Sequence, residues 1–386
     1  MKKVCVVTGT RAEYGLLKPV IDKIYNSDTL ELQLAVTGMH LSPEFGLTYQ
    51  EIEKDGYPIT AKVEMLLSSD TNVGITKSMA VALMGFADFF EHNKPDMVVI
   101  LGDRYEMLMV AVAAMIAKIP IAHIHGGELT EGLIDEAIRH SITKMSFLHF
   151  TATNEYMKRV IQLGEQPNRV HNVGALGVEN IKTVALLKQK ELERALGFEL
   201  KEKMILVTYH PVTLENMSAK QQFQNVLSVL DKLSDYFIIF TKANADTNGR
   251  IINQMIDEYV SHNKERSIAF TSLGQMRYLS ILPYCKFVLG NSSSGLIEVP
   301  SFKIPTINIG DRQRGRVCAD SVYSCGTSIG EIEEAIDVVT SEQWEEIMQK
   351  MQNPYEGVRT SEKIVEIIEE VLEKGIHIKK VFYDMN

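Results

Sequence analysis

The chain predicts an α/β fold built from two open parallel sheets, and three observations carry that expectation. Short apolar runs bounded by glycine or polar turns alternate with amphipathic stretches, the pattern of parallel strands joined by crossover helices. The alternation starts afresh after a polar connector, "LLKQKELERALGFELKEK" at 186–203. A length of 386 residues is long for one domain and comfortable for two. A (β/α)8 barrel is the competing arrangement of the same pattern.

The strand candidates of the first half are "KVCVVTG", "LQLAVTG", "MVVILGD", "IPIAHIH" and "FLHFTAT", each followed by a helical pattern. Those of the second half are "MILVTYH", "YFIIFTK", "SIAFTS", "CKFVLGN" and "TINIG". The expected domains are therefore residues 1–185 and 186–360. The amphipathic helix "SEKIVEIIEEVLEKG" and basic tail, 361–386, are expected to pack across them.

Composition narrows the function classes. Hydrophobic residues at 45% and charged residues at 23% are those of a soluble globular protein. A formal net charge of -10 argues against a nucleic-acid surface, which needs a basic stripe to neutralise phosphates. An anionic ligand must then be held by a local cluster of positive groups. Cys5, Cys285, Cys318 and Cys325 form no C-x-x-C pair and read as reduced thiols, which points to the cytoplasm. The start "MKKVCVVTGTRAEYG" turns polar after four apolar residues, too short for a signal-peptide core. The apolar run "MLMVAVAAMIA" at 107–117 falls short of the roughly 20 residues that span a bilayer, so no membrane insertion is expected.

In open parallel sheets, ligands sit beyond the carboxyl ends of the strands. The chemically active residues fall there. "GNSSSGLIEVP" at 290–300 follows a strand and opens a helix, so backbone N–H groups and the hydroxyls of Ser292 and Ser293 suit a diphosphate. Leu296 and Ile297 stand where a P-loop has Lys and Ser/Thr, and no G-x-G-x-x-G occurs; nucleotide hydrolysis and dinucleotide binding are disfavoured. Glu298, one turn further on, either accepts from ribose hydroxyls or is a solvated carboxylate. Arg11 in "GTRAEYG" offers a planar fork for phosphate oxygens, or caps a helix. His210 in "VTYHPV" is placed to donate to a phosphate, or is a satisfied core histidine.

"LGDRYE" ends an apolar strand in Asp103, poised either for proton transfer or as an N-cap. In "HIHGGELTEGLIDEAIRH", His123 and His125 share a strand face by the period of two, and Gly126-Gly127 lets the chain turn closely past a ligand. Glu128 follows in the turn, and Asp135 and Arg139 lie at i, i+4 on the next helix. The H-x-H pair with these carboxylates could instead bind zinc.

Taken together, "GTRAEYG", "VTGMHLS", "LGDRYE", "HIHGGE", "IDEAIRHSITKMS", "YHPVT", "GNSSSGLIEVP" and "INIGDRQRGR" resemble the UDP-N-acetylglucosamine 2-epimerase family over nearly the whole chain. The resemblance is closest to its hydrolysing branch, which makes N-acetylmannosamine for bacterial sialic acid synthesis. It implies a GT-B-like pair of Rossmann-like domains with a UDP-sugar in the interdomain cleft, no cofactor, no metal and a homodimer. In that mechanism the C2 proton is removed and UDP leaves C1, giving 2-acetamidoglucal. Water then adds at C1 with reprotonation of C2 on the opposite face. Asp103 and Asp135 match acid/base carboxylates of the family. Where several relatives carry a third, a glutamate, this chain has His125, with Glu128 three residues on; either could take that role. Arg11, His210, Ser292, Ser293 and Arg312 match diphosphate positions, Glu298 the ribose position and Asn244 a nucleotide-side position. His40, Arg104 and Arg139 match positions near the sugar or phosphates. The alternatives are the same reaction on another nucleotide sugar, such as UDP-N,N'-diacetylbacillosamine of the legionaminic acid pathway, a GT-B glycosyltransferase, a metal-dependent hydrolase and a nucleotide-sugar sensor.

Overall fold

The near-continuous apolar runs become the central strands of two sheets in a computed structural model that describes residues 1–67, 69, 71–130, 134–212, 218–243 and 249–385. The chain divides into two units. The first holds 1–128, 134–180 and 355–386; the second holds Ile181–Pro354 together with Leu129 and Thr130.

In the first unit, β1 (Lys2–Thr8), β2 (Leu30–Thr37), β3 (Ile59–Val63), β4 (Met97–Leu101), β5 (Ile121–Ile124), β6 (Leu148–Thr151) and β7 (Val170–Asn172) form one parallel sheet in the order β3-β2-β1-β4-β5-β6-β7. In the second, β8 (Met204–Thr208), β9 (Phe237–Thr241), β10 (Ser267–Phe270), β11 (Cys285–Gly290), β12 (Thr306–Ile309) and β13 (Val322–Cys325) form another, in the order β10-β9-β8-β11-β12-β13. Each sheet reverses its strand order beside its first strand. The switch points, β1/β4 and β8/β11, are where such folds bind ligands. Two open sheets rule out the single barrel.

Alternation along the strands feeds two cores per sheet. Val4 and Val6 pack with Leu17 and Ile21 of the helix Arg11–Tyr25, while Cys5 and Val7 face Phe86 and Phe90 on the other side. The second sheet repeats this with Ile205 and Val207 on one face and Met204 and Leu206 on the other. Ile364 and Ile368 of the last helix, Thr360–Lys374, join the cluster of Leu17 and Ile21. That segment, expected to lie across the domains as a separate piece, is therefore part of the first unit.

Three strands escape a sequence reading, β3, β7 and β13, and all three lie at sheet edges. Half-covered strands need no apolar run: β3 alternates exposed and half-buried residues until Val63, and β7 has three residues. The helix Asn72–Asn93 is long and apolar enough to cross a membrane by length and composition. Its Phe86, Phe89 and Phe90 are buried in the first unit's core, while Val73 and Met84 are exposed.

Gly290 closes β11 opposite Thr208 of β8 with φ +142, and a Cβ there would lie 1.9 Å from the Thr208 carbonyl oxygen. Only glycine fits this approach. Gly290→Ala is expected to destabilise the second unit by about 3 kcal/mol, a fall of roughly 10 °C in its thermal transition. An unchanged transition by calorimetry would mean that this strand pair relaxes without cost.

Candidate active site

At the first switch point, the turn after β1 is fixed by a reciprocal cap. Thr10 Oγ1 accepts from Glu13 N at 3.2 Å, and Glu13 Oε2 accepts from Gly9 N at 2.7 Å and Thr10 N at 3.1 Å. Glu13 is buried, and burial pushes its carboxyl up to about 7, with Arg104 opposing and Glu106 adding to the rise. Arg104 donates to both oxygens of the buried Glu106 at 3.1 and 3.2 Å. Arg104 is thus paired with the buried Glu106 and lies within the field of the buried Glu13. Glu13 sits three residues after Thr10, a capping-box spacing readable in the sequence; Glu106 carries no such signal.

Two expected binding residues lie near this turn. Arg11 points to the surface and pairs with Glu51 at 2.8 Å. His40 is fully buried, with Nε2 3.0 Å from Thr8 Oγ1 and Nδ1 2.8 Å from Thr48 Oγ1. Both ring nitrogens are engaged by hydroxyls, which hold the ring against the β1 turn.

Beyond β4 and β5 the candidate acid/base groups gather around Arg139. This guanidinium, 2% exposed, donates to the Asp103 carboxylate and at 3.0 Å to the His125 carbonyl, and lies 3.6 Å from Glu128 Oε2. His125 Nδ1 is 2.9 Å from Glu128 Oε1. Asp103 keeps 20% of its side chain exposed, and Glu128 only 2%. The cap of the following helix, Tyr105–Ile116, is Arg104, so Asp103 is not spent as an N-cap. Asp135 opens the helix Asp135–Met145, one turn before Arg139.

The zinc reading of H-x-H fails on geometry. Strand β5 ends at Ile124, and His125 takes φ +64, so the alternation that would align the two rings stops there. His123 Nε2 donates to the Gly102 carbonyl at 2.7 Å, and Nδ1 lies 3.3 Å from Thr143 Oγ1. Among the described residues no group of three His, Cys, Asp or Glu is disposed to hold a metal ion. The left-handed His125 is a conformation that costs of order 1–3 kcal/mol outside glycine. It is followed by Gly127 at φ +81, whose missing Cβ leaves room for the Tyr156 carbonyl, 2.5 Å from where it would stand.

At the second switch point, His210 ends the turn after β8 and Asn291 begins the turn after β11. The Asn291 side chain bonds both the N–H and the carbonyl of His210, at 2.7 and 2.8 Å. Its own carbonyl accepts from Arg312 Nη1 at 3.2 Å and Gln313 Nε2 at 2.8 Å. Ser292 caps, and Ser293 opens, the short helix Ser293–Ile297, both half-buried. Ser294 Oγ donates to Glu298 and lies 2.6 Å from the hydroxyl of the half-buried Tyr278; burial pushes the Glu298 carboxyl up. His210, Ser292, Ser293, Arg312 and Glu298 therefore come together on one edge of this unit. Asn244 lies outside the described residues. Asn291 and Gln313 carry no sequence signal, because a polar residue in a loop looks the same whether or not it is buried there; Tyr278, inside the helix Gly274–Ile281, reads as an ordinary helix-face aromatic.

Burial pushes His40 down to about 4 and His123 and His210 to about 3, Arg312 adding to the fall at His210. A histidine whose pKa drops on folding binds fewer protons native than unfolded, so its stability contribution is full above about 6.5 and is lost as pH falls below that. Glu13 and Glu298, both raised by burial, act in the opposite sense, but His149 and His171, also lowered by burial, add to the three histidines above, so two carboxylates stand against five imidazoles. Stability is thus expected to fall by a few kcal/mol between pH 7 and pH 5. Denaturant melts at the two pH values check this, and a flat profile would contradict the buried neutral imidazoles.

The two parallel sheets define a doubly wound α/β protein, and comparison with known proteins narrows the class. Residues 22–369 match the profile of the UDP-N-acetylglucosamine 2-epimerase family, and the chain belongs to that family. It is 46% identical over 345 residues to the GDP/UDP-N,N'-diacetylbacillosamine 2-epimerase (hydrolyzing) of Campylobacter jejuni, covering 89% of each chain. It is 42% identical over 386 residues to the polysialic acid biosynthesis protein P7 of Escherichia coli, covering all of this chain and 98% of that one. Among solved structures, the UDP-GlcNAc 2-epimerase from Neisseria meningitidis bound to UDP-GlcNAc shares the fold with a TM-score of 0.80 at 20% identity, covering 96% of this chain and 100% of that one.

Proposed function

We propose that the protein is a hydrolysing 2-epimerase that converts UDP-N-acetylglucosamine and water to N-acetylmannosamine and UDP, supplying sialic acid synthesis for a capsule polysaccharide. The observation that carries this reading is the grouping of Asp103, Glu128 and His125 around the buried Arg139 at the ends of β4 and β5. Elimination across C1–C2 needs a group to take the C2 proton, and hydration needs another to return one from the opposite face. Asp103 and Asp135 are assigned to these transfers. Glu128 supplies the remaining carboxylate, because it shares Arg139 with Asp103, and His125 is oriented by Glu128. In the second unit, His210, Ser292, Ser293 and Arg312 hold the diphosphate and stabilise the charge that develops as UDP leaves; Glu298 takes the ribose hydroxyls. Arg11, Arg104 and Asn244 are assigned supporting places near the substrate. The enzyme acts without cofactor or metal, in the cytoplasm, as a homodimer.

A second reading keeps the reaction and changes the sugar to UDP-N,N'-diacetylbacillosamine; the 46% identity to the Campylobacter jejuni protein favours it. Coupled assays of UDP release on each nucleotide sugar, with no acceptor and no added metal, separate the two by kcat/KM. UDP release only on addition of a sugar acceptor would replace both with a glycosyltransferase.

A further inference from the structure

Asn291 is fully buried, yet all four of its hydrogen-bonding groups are used to join three loops. Its backbone N–H donates to the Thr208 carbonyl at 3.1 Å, at the end of β8. Its side-chain amide accepts from His210 N and donates to His210 O, so the His210 backbone is clamped from both sides. Its carbonyl receives Arg312 and Gln313, from the loop after β12. His210 Nδ1 is itself buried with no hydrogen-bond partner among the described residues, so the clamped backbone, and no bond at that nitrogen, sets the ring's place.

We propose that Asn291 is the positioning residue of this edge: it sets the spacing of His210, Ser292 and Arg312 so that the three converge on one diphosphate. The chemistry requires an amide. A carboxylate of the same shape has no N–H for the His210 carbonyl and would be buried beside it; a serine is too short to reach both groups. Gln313 is a partner in the same device, since its buried amide braces the carbonyl that also receives Arg312. The assignment rests on the reading of this unit as the UDP-binding one.

The test is a ligand-observed NMR titration of UDP and of uridine against the full-length protein and its Asn291→Ser and Asn291→Ala variants, with thermal melts to confirm folding. The wild-type protein should bind UDP well ahead of uridine. In the variants UDP affinity should fall about tenfold or more, the equivalent of one buried hydrogen-bonded group, while uridine affinity stays within about twofold. Steady-state kinetics should show the loss in both kcat and KM, since the same groups hold the diphosphate and stabilise its developing charge. Parallel loss of both ligands, or no loss of either, would overturn the assignment. A wild-type protein with no preference for UDP over uridine would remove the underlying reading instead. If the Asn291 variants fail to fold, Gln313→Ala should still weaken UDP several-fold and leave uridine unchanged; equal effects on the two would refute the proposal.

Discussion

Asp103→Asn is expected to lower turnover by about a thousandfold or more while UDP affinity stays within a few-fold. The substitution keeps the side chain's shape and leaves an oxygen to accept from Arg139, so the β4 turn should persist. What it removes is the capacity to take or give a proton at a carboxylate that is still 20% exposed at the strand end. Unchanged UDP binding matters as much as lost turnover, because the nucleotide is assigned to groups of the other unit. Near wild-type turnover would show that Asp103 serves only to pair Arg139.

Arg139→Met is expected to be the most damaging single change to the fold of the first unit, by about 3–5 kcal/mol. Arg139 is 2% exposed and stands against Asp103, Glu128 and the His125 carbonyl. Methionine fills much of the same volume, so the loss is electrostatic: two carboxylates and a carbonyl remain grouped with no cation between them. For a unit of this size the thermal transition should fall by roughly 10 °C or more, with activity lost in parallel. Arg139→Lys should recover part of the stability and little of the activity, since an ammonium cannot reproduce the planar fork. A variant as stable as wild type would mean that the cluster relaxes or fills with water at little cost.

Much of this architecture was legible in the sequence because its physics is local. Parallel strands buried on both faces must be nearly all apolar, so "KVCVVTG", "MVVILGD" and "MILVTYH" declare themselves. The edge strands β3, β7 and β13 do not, since one covered side asks less of them. The site divides in the same way. Glycines, histidines and carboxylates after strand ends pointed to the loops that hold Asp103, Glu128, His210 and Ser292. The sequence left undecided whether His125 or Glu128 replaces a carboxylate, because that depends on Arg139 folding back one helical turn to reach both. The burial of His40 between Thr8 and Thr48, which lie 32 residues before it and 8 after it, is likewise not readable from the sequence. Asn291 was invisible because its importance comes from who surrounds it.

The most direct test of the central claim is proton NMR of the purified protein with UDP-N-acetylglucosamine in D2O, without added metal. The account predicts UDP together with free N-acetylmannosamine carrying deuterium at C2, since the proton removed there exchanges with solvent before the opposite face is reprotonated. Free sugar that keeps protium at C2, or UDP-N-acetylmannosamine in place of the free sugar, would contradict it.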